Sequence, residues 1–159
     1  MAFPERVYTQ EEVDKARELV QKGYKHALVV KGSKQFKDKM RQVLGLVKVA
    51  DHYDFVRTYL REIVEMEGFS QLRESDAALW ANSSMLEDAV NAASYVVQKA
   101  HQMKDYLEGR LYYGTGEATA IDKRIEFLRV LGNKSKSDEV RVRCEELLKE
   151  WADTRIQFP

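Results

Sequence analysis

Cysteine is almost absent from this chain. Cys144 is the only one among 159 residues, which excludes an intramolecular disulfide framework and a cysteine-rich zinc site. The two prolines and eight glycines are too few for a collagenous, linker-rich or many-turned all-β chain. Net charge is lacking as well: 26 basic residues balance 26 acidic ones, so no global field marks a nucleic-acid or membrane partner. No uninterrupted apolar run approaches the ~18 residues of a membrane-crossing helix. The start, Met1-Ala2-Phe3-Pro4-Glu5-Arg6, has neither the basic nor the apolar region of a secretory signal. With the unpaired cysteine, these absences point to the cytoplasm and to no membrane partner.

What is present is apolar periodicity. Hydrophobic residues make up 44% and charged ones 33%, enough for one core and one domain over 1–159. An irregular tail is expected over 1–8, before the first cap. Thr9-Gln10-Glu11-Glu12 fits a capping box, followed by Val13, Ala16, Leu19 and Val20 on one helical face. Ser33 caps a second helix carrying Phe36, Met40, Val43, Leu44 and Val47. Asp51 caps a third, with Phe55, Tyr59, Leu60, Ile63 and Met66 inward and Gly68 at its end. A shorter helix is expected over 70–81. Residues 24–30 read as a helical continuation or an extended connector, because a short apolar run has no diagnostic period.

The clearest pattern starts at a second capping box, Ser84-Met85-Leu86-Glu87. Leu86, Ala89, Ala93, Val96, Ala100, Met103 and Leu107 then alternate at spacings of three and four, a heptad stripe with small residues where helices approach closely. A helix over 84–113 would be about 45 Å long. Ile121, Ile125, Leu128 and Leu131 form another face ending at Gly132-Asn133, and Ser137 caps a last helix lined by Val140, Cys144, Leu147, Leu148 and Trp151. The expected fold is therefore all-α, a bundle of six or seven helices around one long central helix. Val43-Leu44-Gly45 before Asp54-Phe55-Val56-Arg57 echoes Val130-Leu131-Gly132 before Asp138-Glu139-Val140-Arg141. The echo resembles the helical hairpins of HEAT-type repeats, although a solenoid needs about three repeats.

Chemistry-bearing clusters are few. Asp51-His52-Tyr53-Asp54 sets an imidazole between carboxylates, but at a helix start where aspartate serves as a cap. His101 lies off the heptad seam, and His26, His52 and His101 all lack a glutamate three residues before them. Cys144 reads as a small buried hydrophobe. Gly114-Thr115-Gly116-Glu117 is a helix–helix turn, lacking the length of a dinucleotide fingerprint and the ending of a P-loop. No catalytic, cofactor-binding or metal-ligating residue is nominated. Tyr106, Tyr112 and Tyr113, with Arg110, read as the polar edge of a core.

Charge is unevenly distributed. Residues 15–48 hold 10 basic and 2 acidic side chains, and residues 49–91 hold 3 basic and 9 acidic ones. Lys31, Lys34, Lys37, Lys39 and Arg41, with Tyr24 and Phe36 interleaved, are candidates for binding nucleic acid; the favoured reading is that the same charges meet the acidic segment, inside the chain or across a subunit boundary. The expected function is a non-catalytic interaction or assembly module with a protein partner, self-associating as a homodimer through Leu86, Ala89, Ala93, Val96, Ala100, Met103 and Leu107. The alternatives are a small helical nucleic-acid-binding subunit and an enzyme whose residues converge only in three dimensions.

Overall fold

A computed structural model describes residues 2–110 and 115–156 of the chain. Among these residues lie four short strands as well as six helices. They run α1 (Gln10–Gln21), β1 (Val29–Lys31), α2 (Lys34–Val49), α3 (Tyr53–Tyr59), β2 (Glu62–Glu65), β3 (Gln71–Arg73), β4 (Ala78–Ala81), α4 (Ala89–Leu107), α5 (Thr115–Lys134) and α6 (Asp138–Ile156). The expectation of an all-α helical bundle is overturned: the protein is mixed α/β. Its strands form one sheet in the order β1-β2-β4-β3, with β1, β2 and β4 parallel and β3 antiparallel to β4.

Two helical readings are corrected, and of the two alternatives for residues 24–30 the extended one holds, the segment leading into β1. The third helix stops at Tyr59, because the amides beyond it pair with a neighbouring strand. Arg61 N–H donates to the Ala77 carbonyl at 2.7 Å, and Met66 N–H to the Ala81 carbonyl at 2.9 Å. Residues 70–81 hold β3, a 3-10 turn at Glu74–Asp76 and β4. The chain enters β1 through Leu28 (φ 55°), β4 through Ala77 (φ 51°) and α3 through Asp51 (φ 58°). Glycine normally takes this left-handed conformation, so none of these turns announces itself in the sequence.

Strand alternation divides the sheet into two faces. The register aligns Val30, Ile63, Leu79 and Leu72 in one row, turned into the core. The opposite face carries Val29, Glu62, Val64, Trp80 and Arg73, with the Arg73 guanidinium 4.2 Å from the Trp80 ring centroid. At Gly32 the backbone passes so close to β2 that a Cβ would stand 2.7 Å from Glu65 Cβ.

The helices keep most of their caps. Thr9 makes the capping box with Glu12, Ser33 Oγ accepts from Phe36 N–H at 3.1 Å, and Ser137 Oγ from Val140 N–H at 3.3 Å. The box at Ser84 does not start the long helix. Ser83–Glu87 is a 3-10 turn, and α4 begins one turn later on Asp88, whose Oδ1 accepts from Asn91 N–H at 3.2 Å. With 19 residues, α4 is about 28 Å long, well short of the expected rod; Leu111, Tyr112, Tyr113 and Gly114 lie outside the described residues. It nonetheless packs against α1, α2, α3, α5 and α6.

α5 and α6 form a hairpin, but the other half of the sequence echo runs from α2 into the seven-residue α3 and then a strand, so the two halves are not equivalent. The N-terminal segment is irregular yet tied down. Val7 is fully buried, its N–H donates to the Ser75 carbonyl at 2.7 Å, and its carbonyl accepts from Tyr106 Oη at 2.7 Å.

The two-faced sheet gives a direct check. Ile63→Ala should lower stability by about 2–5 kcal/mol, as a core truncation does, whereas its half-exposed neighbour Val64→Ala should cost about 1 kcal/mol or less. Urea unfolding of both variants measures the difference between the two faces of the sheet.

Candidate functional site

An open cleft of about 860 Å³ lies where α2, the start of α4 and α6 meet. Leu46 comes from α2, Ala89 and Val90 from α4, and Val140 and Val142 from α6; together they supply an apolar lining. Val142 is 55% exposed, an apolar side chain left on the lip. Around this lining stand Glu87, Asp88, Asp138, Glu139 and Glu146, with Arg143 the one cation of the lining among the described residues.

Part of that charge is internally engaged. Asp88 Oδ2 accepts from Arg143 Nε at 3.0 Å and Nη2 at 2.6 Å, while its other oxygen caps α4, so one carboxylate fixes the start of α4 against α6. Arg143 also lies 3.7 Å from Glu146. Glu87 pairs with Lys39 and Asp138 with Arg141. Both of these pairs have solvent-exposed carboxylates, and such pairs contribute at most about 1 kcal/mol and exchange readily. Glu139 makes no ion pair among the described residues.

Behind the cleft lies a buried polar seam. Arg124 on α5 is 6% exposed. It donates to Ser94 Oγ (2.8 Å), Gln98 Oε1 (2.9 Å) and Asn91 Oδ1 (2.7 Å) on α4. Trp151 of α6 and Tyr95 place their ring centroids 4.4 and 5.6 Å from its guanidinium carbon. Burial lowers Arg124 to about 10, offset in part by Tyr95 and Asp88, so it stays charged at neutral pH. Burial likewise pushes Tyr95 up to about 12. This arrangement clamps three helices and leaves little donor capacity for a ligand.

The residues nominated from sequence separate into two groups. Leu86, Ala93, Val96, Ala100, Met103 and Leu107 are buried within this chain, and Ala89 is half-buried at the cleft. The stripe is thus covered by its own helices. Of the basic candidates, Lys31 pairs with Glu62 at 2.6 Å and Lys39 with Glu87, so both meet the acidic segment inside the chain. Lys34 and Lys37 are exposed and make no ion pair among the described residues, and Arg41 holds only the neighbouring Asp38 at 3.1 Å. The aromatics between them are not available for stacking: Phe36 is buried, and Tyr24 packs on Phe3 and His26.

The histidines do not gather carboxylates. His52 Nδ1 lies 2.6 Å from the Ala50 carbonyl and its ring stands edge-on to Phe127; His101 packs on Phe55 at 4.3 Å. Asp51 pairs with Lys134, which holds its carboxyl below the usual value, and caps no helix. The Cys144 thiol is buried and pushed up to about 11 by that burial. Among the described residues no group of three or more His, Cys, Asp or Glu side chains is placed to hold a metal ion, and no helix is long and apolar enough to cross a membrane. No protein-family model, curated protein or solved structure matches the chain.

Sequence reasoning missed the pair Asp88–Arg143 and the Arg124 seam, because their partners lie far apart in the chain. The polar series Asn91, Ser94, Gln98 at spacings of three and four was the one available signal.

Two outcomes follow from these environments. Arg124→Ala should cost about 3 kcal/mol, since Asn91, Ser94 and Gln98 would keep their burial and lose their donor; denaturant unfolding measures it. His26 is held near 4 by burial and then by Arg61; His101 is held near 4 by burial, then by Lys123, Lys104 and His52. The unfolded imidazoles titrate near 6.5 and bind more protons than the folded ones between pH 6.5 and 4, so stability is complete above that window and declines as pH falls through it. Comparing unfolding free energies at about pH 7 and 4.5 should show a drop that shrinks by about 2 kcal/mol in His101→Gln.

Proposed function

We propose that the protein is a non-catalytic interaction module whose cleft between α2, α4 and α6 receives a cationic amphipathic helix of a partner protein. The observation that carries this reading is the combination, in one open cleft, of an apolar lining with five carboxylates, of which Glu139 makes no ion pair among the described residues and Glu87 and Asp138 hold only solvent-exposed ones. Grooves of this kind take the apolar face of a helix and leave its polar flank at the rim. Val142, exposed on the lip, gives an incoming apolar side chain its first contact, and Glu139 and Glu146 stand beside it on α6 to meet lysine or arginine. The ion pairs at Glu87 and Asp138 exchange for partner cations at little cost. Such complementarity sets orientation and on-rate more than affinity, so apolar contact with Leu46, Val140 and Val142 supplies most of the binding energy. The heptad stripe of α4 takes no part, since its side chains are buried in the chain's own core.

A labelled helical peptide of about 18 residues, with leucines on one face and lysines on the other, is the direct probe by fluorescence anisotropy. Glu139→Lys with Glu146→Lys, and separately Val142→Asp, should each weaken binding about tenfold or more. These positions are exposed, so the fold is retained. Undiminished binding by both variants, or equal binding of a scrambled peptide with the same composition, would remove the cleft from the account.

A further inference from the structure

On the flank of α2 away from the cleft, Lys34, Lys37, Arg41 and Lys48 are all exposed. At 100° and 1.5 Å per residue they fall within an arc of roughly 60° and form a row about 21 Å long. Gln42 and Leu46 face the cleft instead, so the two surfaces share one helix without sharing side chains. Lys31 and Lys39 are off the row and already paired with Glu62 and Glu87.

We infer that this row binds the phosphate backbone of double-stranded DNA without reading its sequence, an activity independent of peptide docking in the cleft. Three observations favour this partner. Apolar surface along the row is scant: its neighbours Phe36 and Leu44 are buried, and among the described residues of α2 only Val49, beside Lys48, leaves a large apolar side chain exposed, too little for the apolar centre that a protein partner would need. The row also has no free aromatic platform of the kind single strands stack on. Tyr53, at its end, already carries the Lys48 ammonium 4.5 Å and the Arg57 guanidinium 6.0 Å from its ring centroid. Finally, the cations sit on a single sixteen-residue helix capped by Ser33, which fixes their spacing for a rigid duplex. The wide major groove of B-form DNA admits a helix flank between its phosphate walls, whereas the narrow groove of duplex RNA does not. The Asp38–Arg41 pair on the edge of the row is solvent-exposed and yields to a phosphate at little cost.

Electrophoretic retardation or anisotropy with a DNA duplex of about 20 base pairs, at about 50 mM salt, tests the inference. Four phosphate contacts should give log K against log salt a slope of roughly −3 to −4. Lys34→Glu with Lys37→Glu and Arg41→Glu should abolish binding, while Lys31→Gln with Lys39→Gln should change it less than about twofold. Circular dichroism of each variant establishes that it is folded. No binding by the wild type, an equal loss in the Lys31 and Lys39 variant, or tighter binding of the single strand, of duplex RNA or of polyglutamate would each overturn the inference.

Discussion

α4 has to be compatible with two unlike neighbours, and the architecture around it depends on how that is achieved. Towards α2 and α3 it offers a close-packed apolar side that includes Ala93, Val96, Ala100 and Met103, all fully buried. Towards α5 it offers Asn91, Ser94 and Gln98, whose burial would be costly without partners. Arg124 resolves the conflict with one side chain, and its own desolvation is offset by those neutral acceptors and two aromatic faces. Because Trp151 covers the same guanidinium, α6 is drawn in behind α5. Asp88 then completes the arrangement by capping α4 and gripping Arg143. The cleft exists because α6 is secured at these points and stands away from α2 between them.

How much of this was legible depends on the distance over which each feature is encoded. Caps at Thr9, Ser33 and Ser137 are written within four residues, and all three form. Apolar stripes are written within a helix: that of α2 is buried as spaced, that of α4 is buried except for the half-buried Ala89, and in α6 Cys144 and Leu147 are buried while Val140, Leu148 and Trp151 are partly so. Strands of three or four residues carry too few positions for a period, and Ile63 happens to continue the helical spacing of Phe55 and Tyr59. The turns that would have separated helix from strand use Leu28, Ala77 and Asp51 in left-handed conformations, where the sequence shows no glycine. The second capping box failed for a similar reason: Asn82 holds Ser84 in a 3-10 turn, and Asp88 provides the better cap further on.

Charge was legible as a total along the segment and illegible as a surface. The basic stretch over 15–48 and the acidic stretch over 49–91 do meet, through Lys31 with Glu62 and Lys39 with Glu87, but these contacts consume only part of the excess. Lys37 and Lys39 are two residues apart and therefore lie on different flanks of α2. One faces solvent on the basic row and the other reaches the rim of the acidic cleft. Lys48, a full two turns beyond Arg41, belongs to the row although sequence proximity gives it no connection to Lys34. Helical period, applied to charges as it was to apolar residues, would have sorted them.

The anchoring of Val7 bears on the order in which the molecule closes. Its N–H bonds to Ser75 and its carbonyl to Tyr106, 99 residues further along the chain, so the N-terminal segment cannot reach its final place until both the turn over Glu74–Asp76 and α4 exist. Contacts of such long sequence separation close large loops and come late in folding. During synthesis the Val7 segment is thus made well before the elements that secure it, and α1, capped by its own residues, packs against a helix made later.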